Sequence, residues 1–375
     1  MQFQRGRQLP CYRGNRPVPY VAHVTFDPIF CATVFPGADL PYENEELSKL
    51  LMDVHSRLTP SVDEQQAVAT LVTKVLECLE AIALDRNKFS LGHIEEIRSI
   101  GSFKKGTMLA GHCLADIVVV LRGLPSFETT MMLGFLLRTE FLAKETGEID
   151  EPPECLPRSY GFDFAYLGAC VRVAFTTHSP EKPEPGIHIS APDQNVARAA
   201  ILHARWVEEK ASHTNVKALV RIVKDFKRRF LGFNHLSPWQ IDLLAFYAVT
   251  QNPLNTPLPL SVAFRRLIQI LAAGHFLPGS AGLLDPCEPS SRRVHVSLSL
   301  NQQDDLCRAA QTMCRILALE KFSVLFANMR PTTPITPAQL VEAANALPGV
   351  KIEFAEPVCM ELSTSTAVVE QLEAV

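Results

Sequence analysis

Residues 97–121 read IRSIGSFKKGTMLAGHCLADIVVVL. Gly101 and Ser102 open a turn in which backbone N–H groups and a hydroxyl are available to phosphate oxygens. The apolar, β-favouring run from Ile117 to Leu121 predicts a strand that is buried on both faces. Asp116 comes directly before that run, and a carboxylate at the mouth of a buried strand is unusual. The sequence therefore predicts a phosphate site built into a sheet.

Two positions at the start of this strand decide which chemistry the site supports. A strand places residues i and i+2 on one face, so two carboxylates with that spacing hold one or two metal ions that bridge a triphosphate. Here the positions are Leu114 and Asp116, so the first acid is absent. The arrangement resembles the nucleotidyltransferase superfold, in which a later strand brings a third carboxylate. The corresponding residue here is Ser190, and Asp193 is expected to cap a helix.

The predicted nucleotide-binding set is vestigial. It comprises Gly101, Ser102, Lys104, Lys105, Thr107 and Asp116. We assign no catalytic residue and no metal ligand, because a single carboxylate holds a metal poorly. A simpler interpretation stays open, in which a glycine-containing hairpin leads into a core strand and Asp116 is a turn residue.

The composition bounds the class of protein. A chain of 375 residues is long enough for one large or two ordinary domains. Its 36 basic and 40 acidic residues nearly balance, so any nucleic-acid binding has to be local. The ten cysteines form no C-x-x-C pair, which argues against structural zinc and a disulfide framework and favours a reducing compartment. No apolar run approaches the roughly 20 residues of a membrane span, so we expect a soluble, intracellular protein.

Residues 1–26 are predicted to form a flexible basic arm. They contain Arg5, Arg7, Arg13 and Arg16 and no acid. Arginine–glycine steps near tyrosines are suited to RNA, through phosphate pairing and base stacking. A solvated tail explains the same composition equally well, so both interpretations stay open.

Hydrophobic periodicity predicts a chain that is mixed at first and helical later. The predicted strands are 117–121, 160–164, 170–176 and 187–190, with an acidic loop over 145–159. The predicted helices are 62–84, 127–144, 193–211, 214–230, 237–250, 261–276 and 301–319. The expected fold class is α+β. A nucleotidyltransferase-like mixed α/β lobe over 27–200 precedes an all-helical dimerisation lobe over 201–330, and residues 331–375 form a C-terminal extension.

The helix predicted over 214–230 is the most cleanly amphipathic in the chain. One of its faces carries Lys217, Arg221, Lys224 and Arg228 at spacings of four, three and four. Such a basic stripe is suited to following phosphates, although most charged stripes only keep a helix soluble. With the four arginines of the arm, these residues form the predicted RNA-binding set, which we expect to be weak and non-specific.

The helices predicted over 261–276 and 301–319 carry more apolar residues than one buried stripe requires. The predicted partner-binding residues are Phe264, Leu267, Ile268, Leu271, Phe276, Leu306, Met313, Ile316 and Leu317. The two helices either present a surface to an obligate partner or pack on each other inside the helical lobe. Periodicity leaves both arrangements open.

Several motifs together resemble those of the DZF-domain family, to which the interleukin enhancer-binding factors belong. The motifs are Gly101-Ser-Phe-Lys-Lys-Gly-Thr107, Ala115-Asp-Ile-Val-Val119, His203-Ala-Arg-Trp206, Lys217-Ala-Leu-Val-Arg221, Ser237-Pro-Trp239, Phe276-Leu-Pro-Gly-Ser280 and Asp285-Pro-Cys-Glu288. The resemblance runs from about residue 17 to about residue 320. It implies a DZF domain with a nucleotidyltransferase-like lobe before a helical lobe and without zinc. The chain departs from the pattern at Ser190, where an acid is expected.

The same resemblance implies a function. We expect a catalytically inactive subunit that has no cofactor apart from residual binding of ATP or another nucleoside triphosphate. The expected partner is an interleukin enhancer-binding factor 3-like DZF protein, a larger subunit with double-stranded-RNA-binding domains. Double-stranded RNA is then reached mainly through that partner, and no membrane is involved. The expected role is regulation of transcription and RNA metabolism in the nucleus, with some protein in the nucleolus and cytoplasm.

An active nucleotidyltransferase, similar to the oligoadenylate synthetases and using the Gly101–Ser102 turn, is the competing function. Leu114 argues against it, because loss of one preorganised electrostatic group commonly lowers a rate by about 10² to 10³. A standalone RNA-binding module is disfavoured by the near-neutral charge and by the absence of an RRM, KH or dsRBD signature.

Overall fold

The computed structural model describes residues 9–13, 16–20, 22–32, 34, 42–85, 87–145, 151–288, 290, 292–326 and 334–346. The chain divides into two compact units. Residues 52–221 form an α/β unit, and the residues up to Leu51 together with those from Ile222 onward form a helical unit.

The described elements of the α/β unit include both strands and helices, and those of the helical unit are helices apart from a two-stranded hairpin near its start. The strands are β1 (Leu9–Arg13), β2 (Arg16–Tyr20), β3 (Ile94–Ile100), β4 (Leu114–Leu121), β5 (Glu154–Arg158), β6 (Gly161–Tyr166) and β7 (Ala169–Thr177). The helices are α1 (Pro28–Cys31), α2 (Glu45–Leu58), α3 (Val62–Leu84), α4 (Gly101–Lys104), α5 (Phe127–Lys144), α6 (Ala191–Lys210), α7 (Thr214–Arg229), α8 (Pro238–Thr250), α9 (Leu260–Ala272), α10 (Leu300–Ala318), α11 (Phe322–Phe326) and α12 (Pro337–Asn345).

Five strands of the α/β unit form one sheet in the order β3-β4-β7-β6-β5. Strand β4 is antiparallel to β3 and parallel to β7, and β6 is antiparallel to both of its neighbours. The side chains of β4 alternate between two cores. Ile117 and Val119 pack with α3 and α5 on one face, whereas Val118 and Val120 pack with α6 on the other. The sheet is therefore covered by helices on both faces, as its apolar composition predicts.

The helical unit is organised around α9, which packs against α1, α8 and α10. A buried ion pair lies at one side of α9, where Arg266 Nη2 is 2.8 Å from Asp27 Oδ2. The Tyr247 hydroxyl donates to the same carboxylate at 2.9 Å. These contacts attach the segment before α1 to the helices that follow residue 222. Among the described residues, no helix of either unit is long and apolar enough to cross a membrane.

Most of the predicted helices are confirmed. The helices predicted over 62–84, 127–144, 193–211, 214–230, 237–250 and 301–319 correspond to α3, α5, α6, α7, α8 and α10, with ends that differ by at most two residues. The helix predicted over 261–276 instead ends at Ala272, because Gly274 adopts a φ of 86° and turns the chain.

The strand predictions are less complete. The runs predicted over 117–121, 160–164 and 170–176 lie within or overlap β4, β6 and β7. The segment 187–190 is not a strand, since its pairing is limited to an isolated bridge between Ser126 and His188. Strand β5 lies in the segment predicted as an acidic loop, and helix α2 was not predicted.

The lobe boundaries differ from the predicted ones at three places. Residues 27–51 belong to the helical unit, where Asp27 pairs with Arg266 and the Ser48 hydroxyl donates to Ser261 Oγ at 2.8 Å. Helix α6 covers one face of the sheet, so the α/β unit continues past residue 200. Helix α12 packs against α10, so the described part of the helical unit continues to residue 346. The rest of the predicted C-terminal extension lies outside the described residues.

The described part of the predicted flexible arm forms a hairpin. Strands β1 and β2 pair antiparallel, with Arg13 opposite Arg16 next to the turn. Only the backbone of these two arginines is described. Arg5 and Arg7, which were also assigned to RNA binding, lie outside the described residues.

Candidate functional site

The predicted phosphate turn lies between β3 and β4. Gly101 begins the short helix α4 with a φ of 72°, a left-handed conformation that residues with a side chain rarely adopt. The Lys105 N–H donates to Gly101 O at 3.1 Å, and the Thr107 N–H donates to Ser102 O at 2.8 Å. A Cβ at Gly101 would lie 2.0 Å from Asp116 Oδ2. The turn and the carboxylate are therefore in direct contact.

Asp116 lies on the face of β4 that the sequence predicted. Leu114 and Asp116 are both half-buried, while Ala115 and Ile117 between and after them are buried on the opposite face. Leu114 thus occupies the position from which a first carboxylate would reach a shared metal ion. The interpretation of Asp116 as a mere turn residue is wrong, since Asp116 is a strand residue paired with Ile100 and Arg172.

The neighbour of Asp116 on the adjacent strand is an arginine. Strand β7 pairs with β4 in parallel, and Arg172 is the register partner of Asp116. Arg172 Nη1 donates to Asp116 Oδ1 at 3.3 Å. The side chains of Asp116 and Arg172 are 19% and 41% exposed. The carboxylate of the site is therefore already paired with a cation of the same chain, within a setting that solvent still reaches.

A second carboxylate lies on the other side of Arg172. Asp163 of β6 is the register partner of Arg172, and Arg172 Nε is 3.8 Å from Asp163 Oδ1. The Tyr160 hydroxyl donates to Asp163 Oδ1 at 2.6 Å and accepts from Arg172 Nε at 3.1 Å. Arg158 Nε donates to Asp163 Oδ2 at 2.6 Å. Asp116, Arg172 and Asp163 thus form a row across three neighbouring strands, acid, base and acid in turn.

The surroundings keep Arg172 charged. Burial lowers the pKa of its guanidinium, but Asp116, Tyr160 and Asp163 together raise that pKa by more, so the net shift is upward. Burial, and then the hydrogen bond to Asp163, raise the pKa of the Tyr160 hydroxyl, which is therefore a neutral donor. The row carries one fixed positive charge between two carboxylates.

The predicted lysines lie near the turn but differ in their contacts. Lys104 is exposed, and its Nζ forms an ion pair with Glu208 Oε1 at 2.9 Å. Lys105 is half-buried, and Thr107 is buried, so the Thr107 side chain is not open to a ligand. Lys217 was assigned to RNA, yet its Nζ lies 3.4 Å from the point that a Cβ on Gly106 would occupy. Lys217 therefore belongs with the phosphate turn.

Arg221 has a structural role that the sequence did not reveal. Its Nε donates to Met108 O at 3.0 Å, and its Nη2 donates to Gly106 O at 2.8 Å. Burial lowers the pKa of this guanidinium. Arg221 therefore holds the segment after the phosphate turn. Of the predicted basic stripe, Arg228 is exposed, and its Nη2 pairs with Asp225 Oδ1 at 2.9 Å.

Ser190 is not at the place of a third carboxylate. It precedes α6 as its N-cap, where its Oγ accepts the Asp193 N–H at 3.2 Å. The prediction that Asp193 caps this helix is also wrong, since Asp193 lies within its first turn. The strand position next to Asp116 in the sheet is that of Arg172, because β7 follows β4 in the strand order.

The nine predicted partner-binding residues lie in the interior. Their exposures range from 0% to 2% for Phe264, Leu267, Ile268, Leu271, Phe276, Leu306, Met313, Ile316 and Leu317. Helices α9 and α10 pack on each other, which was the alternative that periodicity left open. These side chains therefore stabilise the helical unit and are not available to a partner. The expectation of a partner itself stays a prediction.

Arg172 and Asp163 were missed from the sequence. Both lie at alternate positions of apolar strands, within Gly161–Tyr166 and Ala169–Thr177. A charged residue inside such a strand is the signal that was available, because charges are rarely placed there without a partner. The pairing of Arg172 with Asp116 was not predictable from the sequence, since β4 and β7 are neighbours in the sheet but are separated in the chain by α5, β5 and β6.

A sheet that places a glycine–serine turn against the acid at the mouth of the next strand defines the chain as a protein with the nucleotidyltransferase fold. The solved structures that are similar to it include the following three. CdnC of E. coli MS115-1, in its complex with HORMA-deltaN, is 15% identical with a TM-score of 0.54 over 80% of this chain and 95% of that one. The Cid1 poly(U) polymerase with Mg and 3′-dATP bound is 14% identical with a TM-score of 0.51 over 76% and 99%. A cytoplasmic RNA terminal U-transferase is 14% identical with a TM-score of 0.52 over 78% and 100%.

Two domain families cover most of the sequence. The DZF N-terminal domain matches residues 14–212, and the DZF C-terminal domain matches residues 215–351. The chain belongs to the DZF family, and both the predicted family and the predicted α+β fold class are confirmed. The junction at residues 212–215 agrees with the placement of α6 on the sheet of the first unit.

Proposed function

We propose that this chain is a subunit with the nucleotidyltransferase fold that does not transfer nucleotides. It acts by pairing with a larger DZF protein that carries double-stranded-RNA-binding domains, and the pair regulates transcription and RNA metabolism in the nucleus. One observation carries the first half of the proposal: Leu114 and Arg172 flank Asp116 at the positions where further carboxylates would be needed. The second half extends the DZF membership of the chain.

The metal chemistry of the fold does not fit these residues. The similar Cid1 polymerase is described with Mg and a nucleotide bound. A magnesium ion in such a site is held by carboxylates and neutralises charge on the transferred phosphoryl group. Here an apolar side chain and a guanidinium replace two of the carboxylates, and the remaining one is paired with that guanidinium. No step of a reaction is therefore assigned to a metal in this chain.

Weak binding of ATP or another nucleoside triphosphate is compatible with what remains. The Gly101–Ser102 turn keeps its left-handed glycine, and Lys217 lies beside Gly106. Lys105 adds a further positive charge near the turn. Cations and turn N–H groups are general phosphate-binding features and do not require the missing carboxylates.

A transfer assay tests the absence of catalysis. The purified chain is incubated with labelled ATP, Mg²⁺ or Mn²⁺, and either an RNA primer or double-stranded RNA. We expect the wild-type chain to form no more product than the Asp116→Ala variant. The reason is that the wild-type site lacks the further carboxylate ligands that a catalytic metal ion would need beside Asp116. Nucleotide transfer that depends on Asp116 would overturn this proposal and establish the competing enzyme function.

The partner has to use the exterior of the helical unit, because the nine apolar residues named earlier are buried. That exterior carries exposed apolar side chains, among them Val24, Leu254 and Leu319 with exposures of 79%, 77% and 43%. Aspartate at each of these positions is expected to weaken pairing if its site lies in the interface, since a charge in the desolvated centre of an interface is costly. Leu167→Asp, in the α/β unit and 68% exposed, is the matched control.

Analytical ultracentrifugation with and without a DZF protein measures the pairing. A partner that binds the native state also stabilises it by mass action, so the unfolding temperature of the chain should rise when the partner is added. A chain that stays monomeric and does not bind such a partner at micromolar concentration would contradict the proposal. Nuclear location is tested separately by imaging the tagged chain in cells.

A further inference from the structure

We infer that Arg172 supplies the positive charge that a divalent metal supplies elsewhere in this fold, so that a nucleoside triphosphate binds to this chain without a metal ion. The inference rests on the proposed function in one respect, namely that a triphosphate binds near the Gly101–Ser102 turn. It adds the residue that replaces the metal and the consequence for the metal dependence of binding.

The geometry places Arg172 where a shared ion would be. Arg172 stands between Asp116 and Asp163 on the same face of three adjacent strands, and it is within 3.3 Å of one carboxylate and 3.8 Å of the other. Neighbouring strands lie about 4.8 Å apart, so a side chain on the middle strand reaches both. The face is the one opposite the α3 and α5 core, since Phe162 and Phe164 beside Asp163 pack into that core.

The guanidinium has capacity left for a ligand. Its Nε donates to Tyr160 and its Nη1 to Asp116, and within the described part of the chain Nη2 donates to no other group. The side chain is 41% exposed. A guanidinium stays charged at any physiological pH and offers paired N–H donors that match two phosphate oxygens. The Asp116 contact also fixes its orientation, which lowers the entropy cost of holding a phosphate.

A divalent ion is excluded by the same arrangement. To reach Asp116 the ion would have to displace Arg172 or stay beside it, and two like charges a few ångströms apart repel each other even in a partly solvated site. Leu114 offers no ligand in compensation. Metal affinity and metal-assisted binding should therefore both be absent from the wild-type chain.

The first measurement is Mn²⁺ binding followed by electron paramagnetic resonance. The wild-type chain should show no site that depends on Asp116. Arg172→Asp places three carboxylates in the row and should bind Mn²⁺ at least about tenfold more tightly than wild type, because it exchanges a cation for an anion next to the ion. Arg172→Lys keeps the cation and should behave like wild type. Asp116-dependent Mn²⁺ binding by the wild-type chain, or no gain in Arg172→Asp, would overturn the inference.

The second measurement is ATP affinity by calorimetry, once with Mg²⁺ and once with EDTA. The ATP affinity of the wild-type chain should be the same in Mg²⁺ and in EDTA within about twofold. The ATP affinity of Arg172→Gln should be lower by about tenfold or more, as expected when one charge-assisted contact is removed. Arg158→Gln is the control, because Arg158 contacts Asp163 but not Asp116 and should leave ATP affinity unchanged. A tenfold gain from Mg²⁺, or an equal loss in the Arg158 variant, would show that Arg172 is only structural.

The two measurements separate this inference from the function on which it rests. If ATP binds in neither buffer, the proposed nucleotide binding fails and metal-free triphosphate binding fails with it. The Mn²⁺ comparison then still decides whether Arg172 takes the place of the ion. If transfer of nucleotide is detected in the earlier assay while Mn²⁺ binding is absent, the non-catalytic proposal fails and the exclusion of metal stands. Circular dichroism of each variant confirms that the fold is retained.

Discussion

Asp116 Oδ2 lies 2.0 Å from the point that a Cβ on Gly101 would occupy. The glycine and the carboxylate belong to different elements, α4 and β4, and each limits the other. A larger residue at 101 would push the acid away from Arg172, and the φ of 72° at Gly101 is unfavourable for any residue with a side chain. The turn is therefore required by the position of Asp116 even where no phosphate is bound.

Gly101→Ala is predicted to destabilise the chain more than Gly111→Ala. Both glycines are left-handed, at 72° and 76°, so each alanine costs roughly 1–2 kcal/mol of backbone strain. At Gly111 no atom in the described part of the chain, apart from its own neighbours in sequence, lies within 4 Å of the new Cβ, whereas at Gly101 the acid has to move. In urea unfolding, Gly101→Ala should lower the free energy of unfolding by about 1–3 kcal/mol more than Gly111→Ala does, which is the usual cost of overpacking. Equal losses would mean that Asp116 is free to shift.

Asp27→Asn is predicted to lower the free energy of unfolding by about 3–5 kcal/mol, because it leaves the buried guanidinium of Arg266 without a counter-charge. The Arg266 side chain is 0% exposed, and Asp27 Oδ2 lies 2.8 Å from its Nη2. The exposed pair of Arg205 and Glu209 provides the control, and Glu209→Gln should change stability by less than about 0.5 kcal/mol. If Asp27→Asn behaves like the control in chemical denaturation, the segment before α1 is not attached through this pair.

The elements with strong periodicity were predictable, and those decided by their neighbours were not. The capping box of Ser61 and Glu64 and the apolar spacing after it fixed α3 to the residue. Strand β5, by contrast, contains Pro157 and is mostly exposed, so it has no burial pattern to read. It is a strand because β6 pairs with it at the edge of the sheet. Such pairing is a property of the assembled sheet.

The apolar excess of α9 was interpreted as a surface because its environment could not be read from its sequence. A helix that is apolar on most sides is either covered by a partner or central in its own domain. Here α1, α8 and α10 surround it, and even Arg265 and Arg266 are buried. The candidate site was only partly predictable for the same reason. Leu114 and Asp116 could be predicted from their spacing, whereas the contact of Arg172 with Asp116 depends on the order of the strands in the sheet.

Stability is predicted to fall as the pH drops from about 6.5 towards 4. Burial lowers the pKa of His275 to about 4 and that of His295 to about 4, from 6.5 in an exposed histidine. Below pH 6.5 the unfolded chain therefore binds protons that the folded chain does not. Each histidine then lowers the free energy of unfolding by up to about 1.4 kcal/mol per pH unit. Urea unfolding at pH 7 and pH 5 measures the slope.

The variant that tests this cause is His295→Phe. His295 stacks on Phe276 with ring centroids 5.6 Å apart, and its Nδ1 has no hydrogen-bond partner among the described residues. A phenyl ring therefore replaces the imidazole without loss of a described hydrogen bond at Nδ1. The variant should lose part of the pH dependence between 7 and 5 and keep its stability at pH 7. An unchanged slope would assign the acid sensitivity to other groups.

RNA binding by the chain alone is predicted to be weak, non-specific and steeply dependent on salt. Phosphate contacts release counterions, so each lysine or arginine that touches the backbone should contribute about 0.7–0.9 to the slope of log affinity against log salt. Lys224→Ala and Arg228→Ala are each expected to reduce that slope without a change in sequence preference. Arg205→Ala, an exposed arginine outside the basic stripe, is the control. Arg221→Ala is expected to act differently: it removes the donors to Met108 O and Gly106 O, so it should lower the unfolding temperature first. A complex that resists salt and selects a sequence would contradict the prediction, because phosphate contacts carry no sequence information.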